Sequence, residues 1–277
     1  MTGKTILITG CSSGIGFDVA HSLRDRGWTV FASCRQQKDC DQFIAQGFAS
    51  PLIDYTQRGT IASGLQEVLT VTGGHLDALF NNGAHATPGA VEDLPADALR
   101  AIFEANVFGW HDLTTRVIPV MRAQGHGRII NHSSVLGLVT IPWRGAYTAT
   151  KFATEGLTDT LRTEMAGIGI HIVTLNTGPV TSKIRQNAIP HFERWVDWRG
   201  SARVQDYEDR LIKRLYEDRG PDTFELPASA VTAKVIHALE SSKPRPRYYI
   251  TKATYLMGAA RRLLSTRMLD WLVTKGG

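Results

Sequence analysis

A doubly wound parallel α/β sheet, forming a single domain with one insertion, is the fold class this sequence predicts. Short β-branched apolar runs alternate with longer segments of helical periodicity, which implies a parallel sheet covered by helices on both faces. The first run also leads through a glycine-rich turn directly into a helical segment, the way nucleotide-binding sheets begin. In order, the predicted strands are Thr5–Thr9, Trp28–Ser33, Pro51–Ile53, Leu76–Phe80, Arg128–Asn131, His171–Leu175 and Tyr248–Ile250, each too short an apolar run for a helix. Between them, apolar stripes at helical spacing predict helices near Ile15–Arg26, Gly59–Thr72, Ala96–Gln124, Ala146–Ala166 and Ala228–Leu239. Right-handed crossovers then bring the strand C-termini to one edge, where ligands bind. One core suffices for residues 1–277, because a chain of this length buries about three quarters of its unfolded surface. Residues 182–226 break the rhythm, being long, aromatic and charged where a short crossover is expected, and read as an insertion over the site. Residues 252–277 read as a helical tail.

Composition narrows the function classes. The net charge is +5 and the pI about 9.2, but the basic residues are scattered and accompany no nucleic-acid motif, so a solvated surface and no nucleic-acid partner are expected. Cys11, Cys34 and Cys40 are odd in number and lack metal-ligand spacing, which predicts neither a disulfide framework nor a metal site and points to a reducing, cytoplasmic compartment. Met1 runs almost directly into the first strand, leaving no room for an export signal, and no apolar run is long enough to span a membrane.

The first chemical motif is Thr9-Gly10-Cys11-Ser12-Ser13-Gly14-Ile15-Gly16, between the first strand and the first helix. Gly10 permits a tight turn, Gly14 lets the backbone approach a pyrophosphate, and Gly16 allows close helix packing, while the helix N-terminus offers N–H groups to the anion. Gly10 to Gly14 also read as G-x-S-x-G, the nucleophile elbow of serine hydrolases, with Ser12 as the nucleophile. An elbow sits atop a central strand with several strands before it. Here one strand precedes the loop and no histidine can be assigned to it, so dinucleotide binding on a Rossmann-type sheet is the expectation.

The second constellation is Tyr147-Thr148-Ala149-Thr150-Lys151, whose tyrosine and lysine lie one turn apart on the same helix face. Lowering a tyrosine pKa from about 10 to ~7 takes ~4 kcal/mol. One positive charge at ~4 Å supplies about that much at an effective dielectric near 20. Lys151 is therefore expected to lower the Tyr147 pKa and make it a general acid and base near neutral pH. Ser133 and Ser134, at the end of the strand Arg128–Asn131, both stand where a hydroxyl can hold the substrate oxygen. Asn106 lies midway through Ala96–Gln124, and an asparagine followed by Gly109 predicts a local break in that helix.

Taken together, residues from about Thr5 to Thr181 resemble the short-chain dehydrogenase/reductase family. The three-residue gap between Gly10 and Gly14 is similar to that family's T-G-x-x-x-G-x-G loop. The resemblance implies a cofactor loop of Gly10, Ser12, Ser13, Gly14, Ile15 and Gly16, and selects Ser134, thirteen residues before Tyr147, as the catalytic serine. It implies that Tyr147 and Lys151 act in catalysis while also contacting the cofactor, the lysine holding the nicotinamide ribose. Asn106 then kinks its helix, and its carbonyl binds a water leading to Lys151. Asn81-Asn82-Gly83-Ala84 looks like the family's N-N-A-G with its last two residues exchanged, placing Asn82 and Gly83 by the adenosine ribose, while Asp54 matches the residue contacting adenine. Asn176-Thr177-Gly178-Pro179-Val180-Thr181 resembles the P-G-x-x-x-T segment, with Thr177 in place of proline and a G-P-V order similar to hydroxysteroid and retinol dehydrogenase-like members. Val180 and Thr181 are thus the implied carboxamide contacts. A binding protein that keeps the fold without turnover is the alternative from another class. The complete set of Asn106, Ser134, Tyr147 and Lys151 speaks against it.

Ser33-Cys34-Arg35-Gln36-Gln37-Lys38 ends the second strand without an acid before Asp39, and Arg35 stands where a guanidinium grips a 2′-phosphate, so NADP(H) is expected over NAD(H). Ile189, Pro190, Phe192, Trp195 and Trp198 in the insertion, with Trp143, read either as a wall for a long-chain aldehyde, retinoid or steroid-like carbonyl, or as rings packing the insertion on the core. Leu256, Ala260, Leu264, Met268 and Trp271, interleaved with Arg261, Arg262 and Arg267, form an amphipathic stripe that fits a membrane surface, the domain itself or a partner subunit. Ala153, Leu157, Leu161 and Met165 form a stripe on the helix after Tyr147, which in the family commonly supports a homodimer or homotetramer.

Overall fold

The computed structural model of the chain describes residues 3–217 and 220–275, so residues 218–219 of the expected insertion and 276–277 of the expected tail lie outside the described residues. Among the described residues six strands pair in parallel: β1 (Thr5–Ile8), β2 (Thr29–Ala32), β3 (Ala78–Asn81), β4 (Gly127–Ser134), β5 (Ile170–Thr177) and β6 (Arg247–Ile250). Their order is β2-β1-β3-β4-β5-β6, so the chain reverses its direction of travel between β1 and β3 and opens a crevice there. The strand centres are apolar because both faces are covered, whereas β3, β4 and β5 end in polar residues at the C-terminal edge. Ile6, Ile8, Phe80, Ile130 and Val173 face one core, packed beneath α1 (Gly14–Asp25), α2 (Gln37–Ala45) and α10 (Ser229–Glu240). Their neighbours Leu7, Leu79, Ile129 and Ile172 face the other, beneath α3 (Arg58–Thr72) and α5 (Gly109–Gln124). Burying such a side chain stabilises the fold by ~1.5–3 kcal/mol.

Pro51–Ile53 is not a strand, which corrects the expected seven. Pro51 has no N–H to donate, and the segment keeps only isolated bridges, Phe31 with Ala49 and Cys34 with Leu52. The long segment from Ala96 is broken as expected: α4 (Ala96–Phe103) passes through a π-helical turn, Glu104–Phe108, into α5. Such turns widen a helix by one residue and recur at functional sites.

α6 (Gly145–Glu164) turns a largely polar face to the core. Its inner face is Thr150, Lys151, Thr154, Glu155 and Thr158, whereas Leu157 is exposed. The threonines tolerate burial because Thr154 and Thr158 donate to the carbonyls of Thr150 and Thr154 at 2.9 and 2.6 Å. The insertion folds as α7 (Ile184–Trp195), α8 (Val204–Asp206), a π-helical turn Tyr207–Ile212 and α9 (Lys213–Tyr216), with its own core of Phe192, Val196, Tyr207, Leu211 and Leu215. Beyond β6 the expected continuous stripe is also corrected. Leu264 is extended at the end of α11 (Lys252–Leu263), so α12 (Thr266–Lys275) starts in a new register and buries Leu269 and Val273 against Val139, leaving Met268 and Trp271 exposed.

Candidate active site

The glycine turn leaves β1 beside the chain reversal. Gly10 has φ +69°, and a Cβ there would lie 2.6 Å from the Gly83 Cα, so the turn and the strand-end loop touch backbone to backbone. Gly14 also has a positive φ, +62°, and its missing Cβ would project toward Ser182 at 3.4 Å, across the space between the turn and the insertion. Ser13, at the N-cap of α1, is extended and makes no capping bond, which leaves the first N–H groups at Gly14, Ile15 and Gly16 aimed at that space. A shallow cradle with uncapped donors suits a pyrophosphate, so these residues fit a dinucleotide. Ser12 is exposed in the same turn. Asn82 secures the cradle, donating to the Thr9 and Gly10 carbonyls at 3.0 and 3.2 Å, while the Gly83 carbonyl accepts from Trp110 Nε1 at 2.6 Å. Asp54 sits in the turn before α3, its carboxylate accepting from the Thr56 N–H at 2.9 Å.

Arg35 is exposed where β2 ends, close enough to His85 and His191 for its charge to act on both. Those imidazoles stack at 3.9 Å between centroids and join α7 to the segment after β3. Burial, then the His191 and Arg35 charges, push His85 down to about 3. With His85 held neutral, the positive charge at this end of the crevice comes from Arg35 and, beside His191, from Arg194.

The π-helical turn serves Asn106, whose side chain is fully buried. It accepts from the His85 N–H at 3.1 Å, donates to the His85 carbonyl at 2.8 Å and reaches Thr150 Oγ1 at 3.3 Å. Asn106 thereby ties the segment after β3 to the head of α6. Ser134 ends β4, accepts from the Leu136 N–H at 3.1 Å and donates to the Thr177 carbonyl at 3.4 Å, with its hydroxyl close enough to act on the Tyr147 phenol. Ser133 points to the opposite face, where its buried hydroxyl lacks a partner among the described residues. Sheet alternation thus brings Ser134, and not Ser133, to Tyr147.

The expected effect of Lys151 on Tyr147 is corrected. The enclosure of its hydroxyl end raises the Tyr147 pKa above the usual tyrosine range, and only the Ser134 hydroxyl opposes this. Lys151 instead donates to the His132 carbonyl at 2.7 Å, lies 4.5 Å over the Trp110 ring, and stands 5.3 Å from the Tyr147 ring centroid. Burial pushes its own pKa down to about 7, partly countered by Glu155, so no full charge is available to acidify the phenol.

His132 escaped the sequence reading. Its ring bridges Asn82 Oδ1 at 2.9 Å and Thr177 Oγ1 at 3.0 Å, and burial followed by the Lys151 charge pushes it down to about 3. A neutral imidazole therefore links the glycine turn, through Asn82, to the end of β5, while its carbonyl anchors Lys151.

A family model described as short chain dehydrogenase matches residues 4–192. The chain belongs to the short-chain dehydrogenase family. As a member it is an oxidoreductase. It is 35% identical over 268 residues, 96% of this chain and 93% of the relative, to the uncharacterized oxidoreductase YbbO of Escherichia coli. It is 30% identical over 280 residues to an NADPH-dependent 3-dehydrocapnine reductase of Ornithobacterium rhinotracheale, covering 97% of this chain and 95% of that one. A short-chain dehydrogenase structure from Streptomyces avermitilis superposes with a TM-score of 0.80 at 25% identity, covering 96% of this chain and 94% of that one.

Family membership removes the hydrolase reading of Ser12. Of the two readings of the insertion's aromatic residues, packing on the insertion's own core holds for Phe192. Phe192 is fully buried in the insertion's own core, which corrects its assignment to the substrate. Trp195 lines a groove of about 480 Å³ with Trp198 and Tyr216 whose walls exclude Tyr147 and Ser134. Trp143, at φ +68°, packs its ring 4.8 Å from Tyr207, with the Arg203 guanidinium 4.6 Å above it. It lines a cavity of about 760 Å³ with Val91, Ile141, Pro142 and Phe152, on the side of α6 away from Lys151. Val180 bridges Leu226 at the base of the insertion, and Thr181 donates its hydroxyl to Glu225 at 2.7 Å.

Proposed function

We propose that the enzyme reduces an apolar aldehyde or ketone, of long-chain, retinoid or steroid-like character, with NADP(H) as its cofactor. The observation that carries the cofactor choice is Arg35, an exposed guanidinium at the end of β2 with no acid beside it until Asp39. A guanidinium there binds a 2′-phosphate bidentately, whereas an acid would hold a free 2′-hydroxyl. The NADPH dependence named for the Ornithobacterium relative supports the same choice. The apolar substrate class rests on the Gly178-Pro179-Val180 order, similar to hydroxysteroid and retinol dehydrogenase-like members, and not on the cavity of about 760 Å³, whose walls include neither Tyr147 nor Ser134.

Gly10, Gly14 and the uncapped N-terminus of α1 would hold the dinucleotide, whose reduced nicotinamide would supply the hydride when bound. Tyr147 keeps its proton at neutral pH and gives it to the carbonyl oxygen as negative charge develops there. Ser134 donates a hydrogen bond to that oxygen, so its charge rests on two donors held in place before reaction. Lys151 and Asn106 hold the head of α6 through His132, Thr150 and His85. The exposed side chains Phe108, in the π-helical turn before α5, and Phe152 and Leu157, on α6, support a homodimer or homotetramer built on those elements. The three free thiols support a reducing cytoplasmic location.

NADPH and NADH oxidation, measured across aldehydes from propanal to decanal, tests the reading. NADPH is expected to be preferred, catalytic efficiency to climb with chain length, and Arg35→Asp to weaken NADPH binding ~10–100-fold with little loss for NADH, as removal of a charge-assisted pair implies. Equal use of both cofactors by the parent enzyme would overturn the cofactor assignment, and a flat chain-length response the substrate class.

A further inference from the structure

Among the described residues, six large apolar side chains are at least 55% exposed, and five of them, Tyr255, Leu256, Leu263, Met268 and Trp271, lie on α11 and α12. Such clustering is unlike the isolated apolar residues that any surface carries. The two helices are not loosely attached, since Leu269 and Val273 are buried against Val139, with Met257, Ala260 and Leu264 packed beside them. One side of the pair is therefore docked on the domain and the other carries the apolar residues outward.

Charge accompanies that outer side. Lys252, Arg261, Arg262 and Arg267 are all exposed, and Asp270 is the one acid between residues 252 and 271. None of the four cations is in an ion pair among the described residues. On α11, Tyr255, Ala259 and Leu263 recur at four-residue spacing with Leu256 beside them, and Lys252 and Arg262 fall within or beside the same face. An apolar strip flanked by unpaired cations is complementary to an interface that is apolar inside and anionic at its surface.

We propose that α11 and α12 dock this enzyme peripherally on membranes containing anionic phospholipid. Tyr255, Leu256, Leu263 and Met268 enter the headgroup boundary and the arginines pair with lipid phosphates. No helix among the described residues is long and apolar enough to cross a membrane, so the attachment is to the surface. The inference is independent of which carbonyl the enzyme reduces.

Co-sedimentation of the full chain with vesicles of phosphatidylcholine alone, or of phosphatidylcholine and phosphatidylglycerol in equal parts, tests it. Binding is expected only to the anionic vesicles and to weaken as salt is raised. Because each surface cation contributes roughly fivefold to such binding, Arg261→Glu/Arg262→Glu/Arg267→Glu should lower it at least ~100-fold. Leu263→Asp/Met268→Asp should abolish it with thermal unfolding unchanged. Failure to bind anionic vesicles, or equal binding by the parent and the arginine variant, would overturn the proposal. Conversion of an oligomer to a monomer by Leu263→Asp/Met268→Asp, without any vesicle binding by the parent, would assign the surface to a second copy of the chain instead.

Discussion

Tyr147→Phe is expected to lower kcat by roughly 10²–10⁴-fold, the range over which a positioned proton donor contributes, while NADPH affinity stays near that of the parent. The substitution removes one oxygen and keeps the ring above which Lys151 stands at 5.3 Å. The hydroxyl is enclosed beside Ser134, so its loss leaves Ser134 as the remaining donor to the substrate oxygen. Ser134→Ala should also fall on turnover, and Ser133→Ala should be mild because that hydroxyl faces away. Steady-state NADPH oxidation beside a fluorescence titration of cofactor separates the two effects. Near-normal turnover by Tyr147→Phe would refute the proton-donor role. A parent enzyme that binds NADPH tightly yet reduces no carbonyl would restore the binding-protein alternative.

Lys151→Met should cost at least ~10²-fold in kcat/KM and, in the opposite direction, stabilise the fold. Burial pushes the lysine down to about 7, against ~10.4 in an unfolded chain. Between those two values the unfolded chain binds the additional proton, so stability rises with pH across that window and the burial cost is full below pH 7. At neutral pH that cost is on the order of 4 kcal/mol. Deleting the amine leaves the His132 carbonyl without its donor, which costs about 1–3 kcal/mol. The first effect outweighs the second, and the variant should melt several degrees higher. Chemical denaturation between pH 7 and 8.5 checks the sign, because the parent should gain stability over that interval and the variant should lose this dependence. A variant that is less stable at pH 7 and keeps the same slope would show that the lysine is not the titrating group.

The strands were legible because burial on both faces leaves unbroken apolar runs, as in Ile6-Leu7-Ile8. Pro51–Ile53 imitated such a run, and only the backbone bonding shows that its proline cannot join the ladder. α2 was missed because just Cys40 and Phe43 of its nine residues are buried, too few for a stripe. At the site, the Tyr147–Lys151 spacing was readable, but the sign of the tyrosine's shift was not, since local charge can be counted from sequence and enclosure cannot. His132 was invisible for a related reason, its partners Asn82 and Thr177 lying 50 and 45 residues away. The insertion's aromatic residues left two readings open because aromatic content alone does not distinguish a wall from a core. Phe192 proved to be core.

Cys11 in the glycine turn, Cys34 at the end of β2 and Cys40 on α2 are at most 1% exposed and all reduced. Burial, then the neighbouring thiols, push Cys11 well above the usual thiol range, and burial pushes Cys34 up to about 12. A thiol that must ionise before it reacts is silent in such a setting. These sulfurs therefore act as native reporters of breathing at the cofactor end of the crevice. Iodoacetamide should leave the folded enzyme unmodified until that end opens, and the labelling rate then measures the opening free energy of this corner rather than of the whole molecule. A dinucleotide seated against Gly14 should slow that labelling in proportion to its occupancy, giving a binding assay that needs neither a known substrate nor an added chromophore.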